Sequence, residues 1–192
     1  MRTNTERRTA LLDAAIAVLA QEGSRGLTLR AVDAKAEVPV GTCSNYFRNR
    51  GELLRQIMGR TRERLMPDTS LIEGMLAQGP SRELTSSFMR LVRERMHADR
   101  DSHLAMLELR LEGVRRPELR AELTKVLGDE IENNIAFHLD AGLPGDRATV
   151  LLMYFAMFGL FVDELTIPEA VDRLPVDELI GTLVDRLTPA GE

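Results

Sequence analysis

The residues best suited to chemistry are small, polar and basic side chains within the stretch VPVGTCSNYFRNRGELL, residues 38–54. If this stretch is helical, one side presents short side chains, because residues three and four apart share a face. The residues on that side are Val40, Gly41, Ser44 and Asn45. Asn45 carries the donor and acceptor that suit adenine, and Val40 can contact a thymine methyl group in a major groove. The chemistry predicted is therefore recognition of base edges through hydrogen bonds and apolar contacts.

Groups suited to phosphate surround this side of the stretch. They are the hydroxyls of Thr28 and Thr42, the phenol of Tyr46, and the guanidinium groups of Arg30, Arg48 and Arg50. Such groups hold phosphate oxygens and fix the position of a protein on DNA without reading its sequence. Cys43 and Phe47 fall on the opposite stripe, which predicts an inward face. The alternative is a solvated helix surface that happens to contain a poor helix former, Gly41.

Neighbouring elements must hold this stretch in place. Residues 6–22 repeat apolar side chains at helical spacing, and Gly23 follows as a stop. Thr28 is a good N-cap for a short helix. A second short helix is predicted over residues 39–47, because proline suits a first helical position, and a longer helix follows over 52–65. Two short helices joined by a tight turn predict a helix-turn-helix unit.

The rest of the chain is also predicted to be helical, because it is rich in Leu, Ala, Arg and Glu. The further predicted spans are 69–78, 81–97, 101–114, 117–141, 146–165 and 176–187. The fold class is therefore all-α, with an N-terminal three-helix helix-turn-helix domain over residues 1–50. A C-terminal helical domain covers residues 51–192, and its first part, residues 51–66, is a connecting helix.

Charge is spread unevenly along the chain. Residues 1–65 hold 12 Lys and Arg against 7 Asp and Glu, whereas residues 66–192 hold 13 against 23. A basic N-terminal part on an acidic body predicts that the N-terminal part binds a polyanion. Accidental asymmetry is the alternative, since charge alone does not identify a partner.

Several function classes find no support in the residues. Cys43 is the single cysteine, so an internal disulfide and Cys-rich zinc sites are excluded, and an intracellular location fits. The polar N-terminus lacks the apolar region of a signal peptide. We find no nucleophile elbow, phosphate loop or metal box, and therefore predict no enzyme, no cofactor and no metal.

The longest apolar run is ATVLLMYFAMFGLFV, residues 148–162. It is short for a membrane span, which needs about 20 residues, so we predict no membrane insertion. A helix that is apolar all round needs cover on every side. Together with the amphipathic helix 176–187, it predicts a four-helix interface between two copies, the alternative being packing within one chain. The expected interface residues are Leu151, Tyr154, Phe155, Phe158, Phe161, Val162, Ile180, Leu183, Val184 and Leu187.

The ordered motifs of residues 6–58 resemble the N-terminal domain of TetR-type transcriptional repressors. The similar elements are LLDAA, the glycine after that helix, LTLRAV, AEV, VGT, YF and RGELL. The resemblance implies that Thr28, Arg30 and Arg50 contact the phosphate backbone, and that Cys43 is a core residue. It assigns to the recognition helix Val40, Gly41, Thr42, Ser44, Asn45 and Tyr46.

Three positions depart from the family pattern. Glu37 stands where a turn glycine is common, and a left-handed backbone there would cost about 1 kcal/mol. Ser44 replaces a frequent Tyr, which removes one large contact, and Pro39 replaces a frequent Ser cap. The role of the segment is therefore better defined than the DNA sequence that it reads.

The resemblance also implies an all-helical C-terminal part that serves dimerisation and ligand sensing. A Met-rich, adaptable interior among the helices 52–65, 81–97, 101–114 and 117–141 suits a small-molecule pocket. The candidate ligand-binding residues are Met66, Phe88, Val92, Met96, His103, Met106, Leu107, Arg110, Asn134, Phe137 and His138. Each of these can equally be an ordinary core or surface residue.

Taken together, these expectations describe a dimeric, ligand-responsive repressor. It would bind a palindromic operator in double-stranded DNA and be released by an unknown small-molecule effector. The location expected is cytoplasmic and associated with the nucleoid. Two alternatives stay open: a helical interaction module with a vestigial helix-turn-helix, and a regulator without a small-molecule ligand.

Overall fold

A computed structural model describes residues 4–188, and this part of the chain is all-α, with no strand in it. The predicted fold class is confirmed, and from α3 onward each predicted helix matches an observed one to within two residues at each end. Two short 3₁₀ helices, Cys43–Asn45 and Pro168–Ala170, also occur. The α-helices are α1 (Asn4–Gly26), α2 (Leu29–Lys35), α3 (Arg50–Arg64), α4 (Thr69–Leu76), α5 (Arg82–Ala98), α6 (Arg100–Arg115), α7 (Pro117–Asp140), α8 (Arg147–Thr166) and α9 (Val176–Leu187).

The described residues form two compact units. The head unit consists of residues 4–66 and 99–125, and the body unit consists of residues 67–98 and 126–188. Helix α6 and the first part of α7 therefore pack with the N-terminal helices. The predicted boundary after residue 50, between a DNA-binding domain and a ligand-binding domain, falls inside the head unit, whose helices share one core. It stays a prediction about function.

The core of the head unit follows from the apolar spacing of α1. This helix packs chiefly on α6 and also against α2 and α3. Its inward side chains recur every three or four residues, which places them on one face. The fully buried core residues of the head unit include Leu11, Ile16, Leu19, Leu27, Leu53, Leu54, Ile57 and Leu109.

The predicted break at Gly23 and the predicted cap at Thr28 are both present, although α1 continues to Gly26. Gly23 takes a φ of 67°, a left-handed conformation that interrupts the regular part of α1. Thr28 caps α2, since its Oγ1 accepts a hydrogen bond of 3.0 Å from the backbone N–H of Ala31.

The predicted α-helix over residues 39–47 is wrong. This segment consists of turns around the 3₁₀ helix Cys43–Asn45. Gly41 takes a φ of 92°, which an α-helix cannot contain, and an added Cβ there would meet nothing within 4 Å. The glycine therefore serves a left-handed turn.

Two apolar clusters organise the body unit. The first consists of Leu84, Phe88 and Leu143, and the second of Met157, Val176 and Ile180. Helix α5 packs on α9, and α8 contacts both of them. These contacts bury the inward stripe of α9, so Ile180 and Val184 are 2% and 0% exposed. Their assignment to the dimer interface is corrected: both are core residues of their own unit.

Helix α8 keeps a large apolar surface exposed. Leu152 is 52% exposed and Phe155 is 62% exposed, and Ala156 and Gly159 lie exposed on the same stripe. By length and composition α8 could cross a membrane, although core helices of soluble proteins pass the same test. Of the other predicted interface residues, those that are half-buried are Leu151, Tyr154, Phe158, Phe161, Val162, Leu183 and Leu187.

Candidate nucleic-acid interface

The backbone of residues 39–47, here called the recognition segment, is held by a carboxylate from α2. Asp33 is 1% exposed, and its two oxygens accept hydrogen bonds from two backbone N–H groups of the segment. Gly41 N–H donates to Oδ2 at 2.7 Å, and Cys43 N–H donates to Oδ1 at 2.6 Å. The backbone of Asp33 also accepts from Val38 N–H at 3.0 Å. One residue of α2 therefore fixes the turn and the start of the 3₁₀ helix.

The other end of the recognition segment is anchored by an aromatic side chain. Phe47 is fully buried, and the guanidinium carbon of Arg8 lies 5.4 Å from the centre of its ring. Helix α3 begins directly afterwards, with Asn49 Oδ1 accepting from Glu52 N–H at 2.9 Å. Glu52 in turn accepts from Arg48 N–H at 2.9 Å, so its side chain holds the residue that precedes the N-cap.

Between these two anchors the structure brings the predicted base-facing residues together. Gly41, Ser44 and Asn45 are exposed, and Val40 is 75% exposed. The Oγ of Ser44 donates to the carbonyl oxygen of Gly41 at 2.7 Å. Its lone pairs consequently point outward, which suits a donor on a partner molecule better than an acceptor.

Among the six predicted phosphate contacts, three are exposed side chains and three, including Arg50, are half-buried. Thr28, Arg30 and Arg48 are exposed, and Thr42 and Tyr46 are half-buried. Thr28 Oγ1 accepts its cap bond, so its O–H can donate outward. The hydroxyl of Thr42 instead donates to the Pro39 carbonyl oxygen at 2.6 Å. Thr42 must therefore rotate its hydroxyl before it can donate to a phosphate.

Arg50 is placed differently from the other predicted phosphate contacts. Its guanidinium donates to the carbonyl oxygen of Leu27 at 2.5 Å and to the hydroxyl of Ser24 at 2.6 Å. It also bonds to the carbonyl oxygen of Ser24. These bonds tie the start of α3 to the connection between α1 and α2, so Arg50 braces the position of Thr28. Its direct contact with phosphate stays a prediction.

Two carboxylates of α6 complete this brace. Ser24 N–H donates to Glu108 Oε2 at 3.1 Å, and the Ser24 hydroxyl donates to Glu112 Oε2 at 2.7 Å. The hydrogen bonds from Ser24 and from Arg116 hold the pKa of Glu112 below its ordinary value. The carboxylate is therefore ionised at neutral pH and keeps accepting from Ser24.

Asp33, Ser24, Glu108 and Glu112 were not among the site residues predicted from the sequence. A signal for Asp33 was present, because it lies four residues after Leu29 and therefore on the same side of α2 as that apolar residue. A charged residue on such a face needs hydrogen-bond partners. Ser24 and the two glutamates carried no comparable signal, since they meet only through the packing of α1 on α6.

The lone cysteine lies beside Asp33 in the core, as predicted. Burial, together with the Asp33 carboxylate, raises the pKa of the Cys43 thiol to about 11. The thiol is therefore neutral at physiological pH and acts as a small apolar side chain.

The predicted ligand-binding residues divide between the two units. Those in the head unit are Met66, His103, Met106, Leu107 and Arg110, and those in the body unit are Phe88, Val92, Met96, Asn134, Phe137 and His138. In the body unit, the rings of Phe88 and Phe137 meet edge to face, 5.4 Å apart.

His138 is buried in the body unit, and its Nε2 lies 3.0 Å from the carbonyl oxygen of Pro144. Because a carbonyl only accepts, Nε2 carries the proton. Burial lowers the pKa of this imidazole, so the ring is neutral at physiological pH. His138 holds the end of α7 to the following loop, and one of its two nitrogens is already engaged. Across residues 4–188, no group of three or more His, Cys, Asp or Glu side chains is arranged to hold a metal ion.

Two family models match the chain, and together they cover most of it. Residues 11–57 match the model described as bacterial regulatory proteins, tetR family, and residues 80–190 match the tetracyclin repressor-like C-terminal domain. A curated relative, the HTH-type transcriptional repressor KstR of Mycolicibacterium smegmatis, is 40% identical over 60 residues. That match covers 31% of this chain and only 29% of the relative.

Solved structures resemble the chain over nearly its whole length. The multidrug binding protein EbrR is 26% identical, with a TM-score of 0.67 and coverage of 97% of each chain, in its complex with imidazole. EbrR has also been solved with malachite green, ethidium and proflavin. A TetR-family member from Streptomyces coelicolor A3 is 27% identical, with a TM-score of 0.67, over 96% of this chain and 99% of that one.

Proposed function

This chain belongs to the TetR family of bacterial transcriptional regulators, and we propose that it is a homodimeric repressor that binds a palindromic operator and is released by a small-molecule effector. The family consists of DNA-binding regulators that act in the cytoplasm, and not of enzymes. Association with the nucleoid would follow from operator binding. The curated repressors that the chain resembles share only its DNA-binding part, so their targets do not transfer to it.

The observation that best supports the proposal is that Val40, Ser44 and Asn45 are exposed together, on a backbone that Asp33 and Phe47 hold in place. In a major groove, Asn45 would accept from and donate to one adenine, and Val40 would contact a thymine methyl group. With its proton engaged by the Gly41 carbonyl oxygen, Ser44 would accept from the amino group of adenine or cytosine. Each recognition segment would thus read a few bases of one half-site.

Positioning on the duplex would come from groups that contact phosphate. Thr28 and Arg30, at the start of α2, and Arg48, directly after the recognition segment, are exposed, and their hydroxyl and guanidinium groups suit phosphate oxygens. Such contacts release counterions, so the affinity for DNA should fall steeply as salt rises.

Dimerisation is supported by the exposed apolar stripe of α8. Leu152, Phe155, Ala156 and Gly159 lie on it, and the glycine lets a partner helix approach closely. Leu179 of α9 is also exposed and apolar. An interface with two-fold symmetry would cover this surface and set two recognition segments about 34 Å apart, one helical turn of DNA.

An effector site is supported by the EbrR complexes and by the aromatic pair of the body unit. The compounds bound to EbrR are aromatic, and aromatic ligands suit edge-to-face surroundings such as Phe88 and Phe137. Met75 and Met89, which pack beside Phe88, would adapt to different ligands. Coupling of effector and operator binding is typically about 1–3 kcal/mol and is reciprocal.

The test begins with selection of DNA from a random duplex library by the purified protein. We expect a palindromic consensus, and binding to it that weakens steeply with salt in a fluorescence anisotropy titration. Equal, weak binding to all duplexes would overturn the proposal and favour the helical interaction module.

A second titration tests effector release. Malachite green and imidazole serve as probes, because both have been found bound to EbrR and neither is a DNA intercalator; calorimetry measures their binding, with the consensus duplex alone as the blank. We expect saturating consensus DNA to weaken the binding of a probe that itself releases DNA. If both probes bind with unchanged affinity in the presence of the consensus duplex, these compounds are not effectors. If no compound in a wider panel shows the coupling, a regulator without a small-molecule ligand is the better description.

A further inference from the structure

We propose that Asp33 is a positioning residue for DNA readout, a cap supplied from α2 to a segment that lacks a cap of its own. The inference rests on the proposed function for its biological meaning. Its structural part concerns only the backbone of the recognition segment and can be tested without DNA.

The recognition segment needs such a cap because its own first residue cannot provide one. Pro39 has neither a backbone N–H nor a side-chain hydroxyl. The segment is not an α-helix, so a regular helical ladder does not take up its N–H groups. Asp33 accepts from two of them, Gly41 and Cys43, at 2.7 and 2.6 Å.

A carboxylate is suited to this position in a way that an amide is not. Both oxygens accept, one from each N–H group, so both bonds are charge-assisted and about twice as strong as neutral ones. Asparagine in the same place would offer one oxygen and one NH₂ group, which would face an N–H group without an acceptor. At 1% exposure, water cannot readily take over the lost bond.

The positions of the two hydrogen bonds determine how they affect base recognition. Gly41 and Cys43 flank Thr42 and directly precede Ser44 and Asn45, so their anchoring sets the direction of the base-facing side chains. Thr28 and Arg30 belong to the other end of α2 and do not depend on these two bonds. Loss of the cap should therefore reduce sequence-selective binding more than binding to arbitrary DNA.

The experiment compares Asp33→Asn with the wild type on the selected consensus duplex and on a scrambled duplex, alongside thermal unfolding. We expect affinity for the consensus to fall by about tenfold or more, and affinity for the scrambled duplex to change by less than about twofold. Asp13→Asn is the matched control, because Asp13 is a head-unit carboxylate bonded to Arg60 and Arg64. It should leave the ratio of the two affinities unchanged.

Rescue separates a missing cap from general damage. Pro39→Ser restores a residue that can cap the segment itself, so Asp33→Ala with Pro39→Ser should recover selectivity relative to Asp33→Ala alone. Amide hydrogen exchange gives a readout without DNA: one of Gly41 and Cys43 should lose protection in Asp33→Asn, and both should lose it in Asp33→Ala, while the amides of α1 keep theirs.

Three outcomes would overturn the inference. In the first, Asp33→Asn keeps the selectivity of the wild type. In the second, it unfolds or loses both affinities in proportion, which indicates a purely structural residue. In the third, the protection of Gly41 and Cys43 is unchanged. A wild-type protein that selects no DNA sequence would instead count against the proposed function, and the exchange measurement would still decide whether Asp33 caps the segment.

Discussion

In the recognition segment the exposed side chains stand on an irregular backbone, whereas in α8 they stand on a regular helix. The segment relies on Asp33 for two of its N–H groups, while α8 satisfies its own backbone over 20 residues and needs only Asp146 as a cap. The geometry of the recognition segment therefore depends on one buried carboxylate. The exposed face of α8 depends instead on the periodic placement of many apolar side chains.

Because of this difference, the two surfaces should respond differently to amino-acid substitutions. A helical face such as that of α8 keeps its geometry when one side chain is replaced, and it loses only what that side chain contributed. The recognition segment should lose geometry when a residue that never touches DNA is replaced. Substitutions can therefore separate contact from positioning in the two regions.

The largest effect is expected at the helical face. Phe155→Glu places a charge on the α8 stripe, where a partner would have to bury it without a counter-charge. We expect a monomer in analytical ultracentrifugation. Affinity for the consensus should fall by about a hundredfold or more, because the two half-sites are then no longer bound together.

Val114→Glu is the matched control for this prediction. Val114 is an apolar residue of α6 that is 73% exposed, more than Phe155 itself. Its replacement should leave the molecular mass and the operator affinity as in the wild type. A Phe155→Glu protein that stays dimeric would show that the exposed stripe of α8 is not the interface.

Next in size is the contrast between two arginines beside the recognition segment. Arg50→Ala removes the hydrogen bonds to Ser24 and Leu27, so we expect the free energy of unfolding to fall by about 1–3 kcal/mol and DNA binding to weaken on all sequences. Arg48→Ala should leave stability nearly unchanged and reduce the salt slope of binding by about one.

Urea unfolding and anisotropy at several salt concentrations measure both effects. Equal stability of the two variants would contradict the bracing role of Arg50. A change of base preference in Arg48→Ala would contradict its assignment to phosphate.

A smaller and more selective effect is expected at Asn45. Asn45→Ala keeps the backbone of the segment but removes the amide that suits adenine, so discrimination at one base pair should fall by about 1–3 kcal/mol. Repeating the DNA selection with the variant measures this directly. A consensus that is unchanged at every position would remove Asn45 from the base-reading set.

The smallest effects concern the two left-handed residues around the turn. Glu37 has a φ of 55°, so Glu37→Gly should stabilise the protein by up to about 1 kcal/mol by relieving strain. Gly41→Ala should destabilise it by about 1–2 kcal/mol, because its φ of 92° disfavours a side chain even though space is available. Thermal unfolding of both variants checks the opposite signs, and a Gly41→Ala protein of wild-type stability would contradict the strain argument.

Much of the fold could be predicted from the sequence because the signals were local. The caps at Thr28, the stop at Gly23 and the helical periods of α3 to α9 depend on residues within a few positions of each other. The helical prediction for residues 39–47 failed because Pro39 and the four-residue spacing of Cys43 and Phe47 fit an α-helix, whereas the chain forms turns around a 3₁₀ helix. The φ of Gly41, which decides between the two, depends on the bonds to Asp33.

By itself the sequence determined the all-α class, the family, and which side chains of the recognition segment are exposed, because apolar spacing and motif order carry these. Only the tertiary structure decided that Asp33 holds the segment, that Arg50 braces the connection before α2, and that Ile180 and Val184 belong to the core. The physical reason is that these roles depend on which distant groups meet. Hydrogen bonds to a buried carboxylate and the burial of one helix face on another are set by packing, and no local pattern records them.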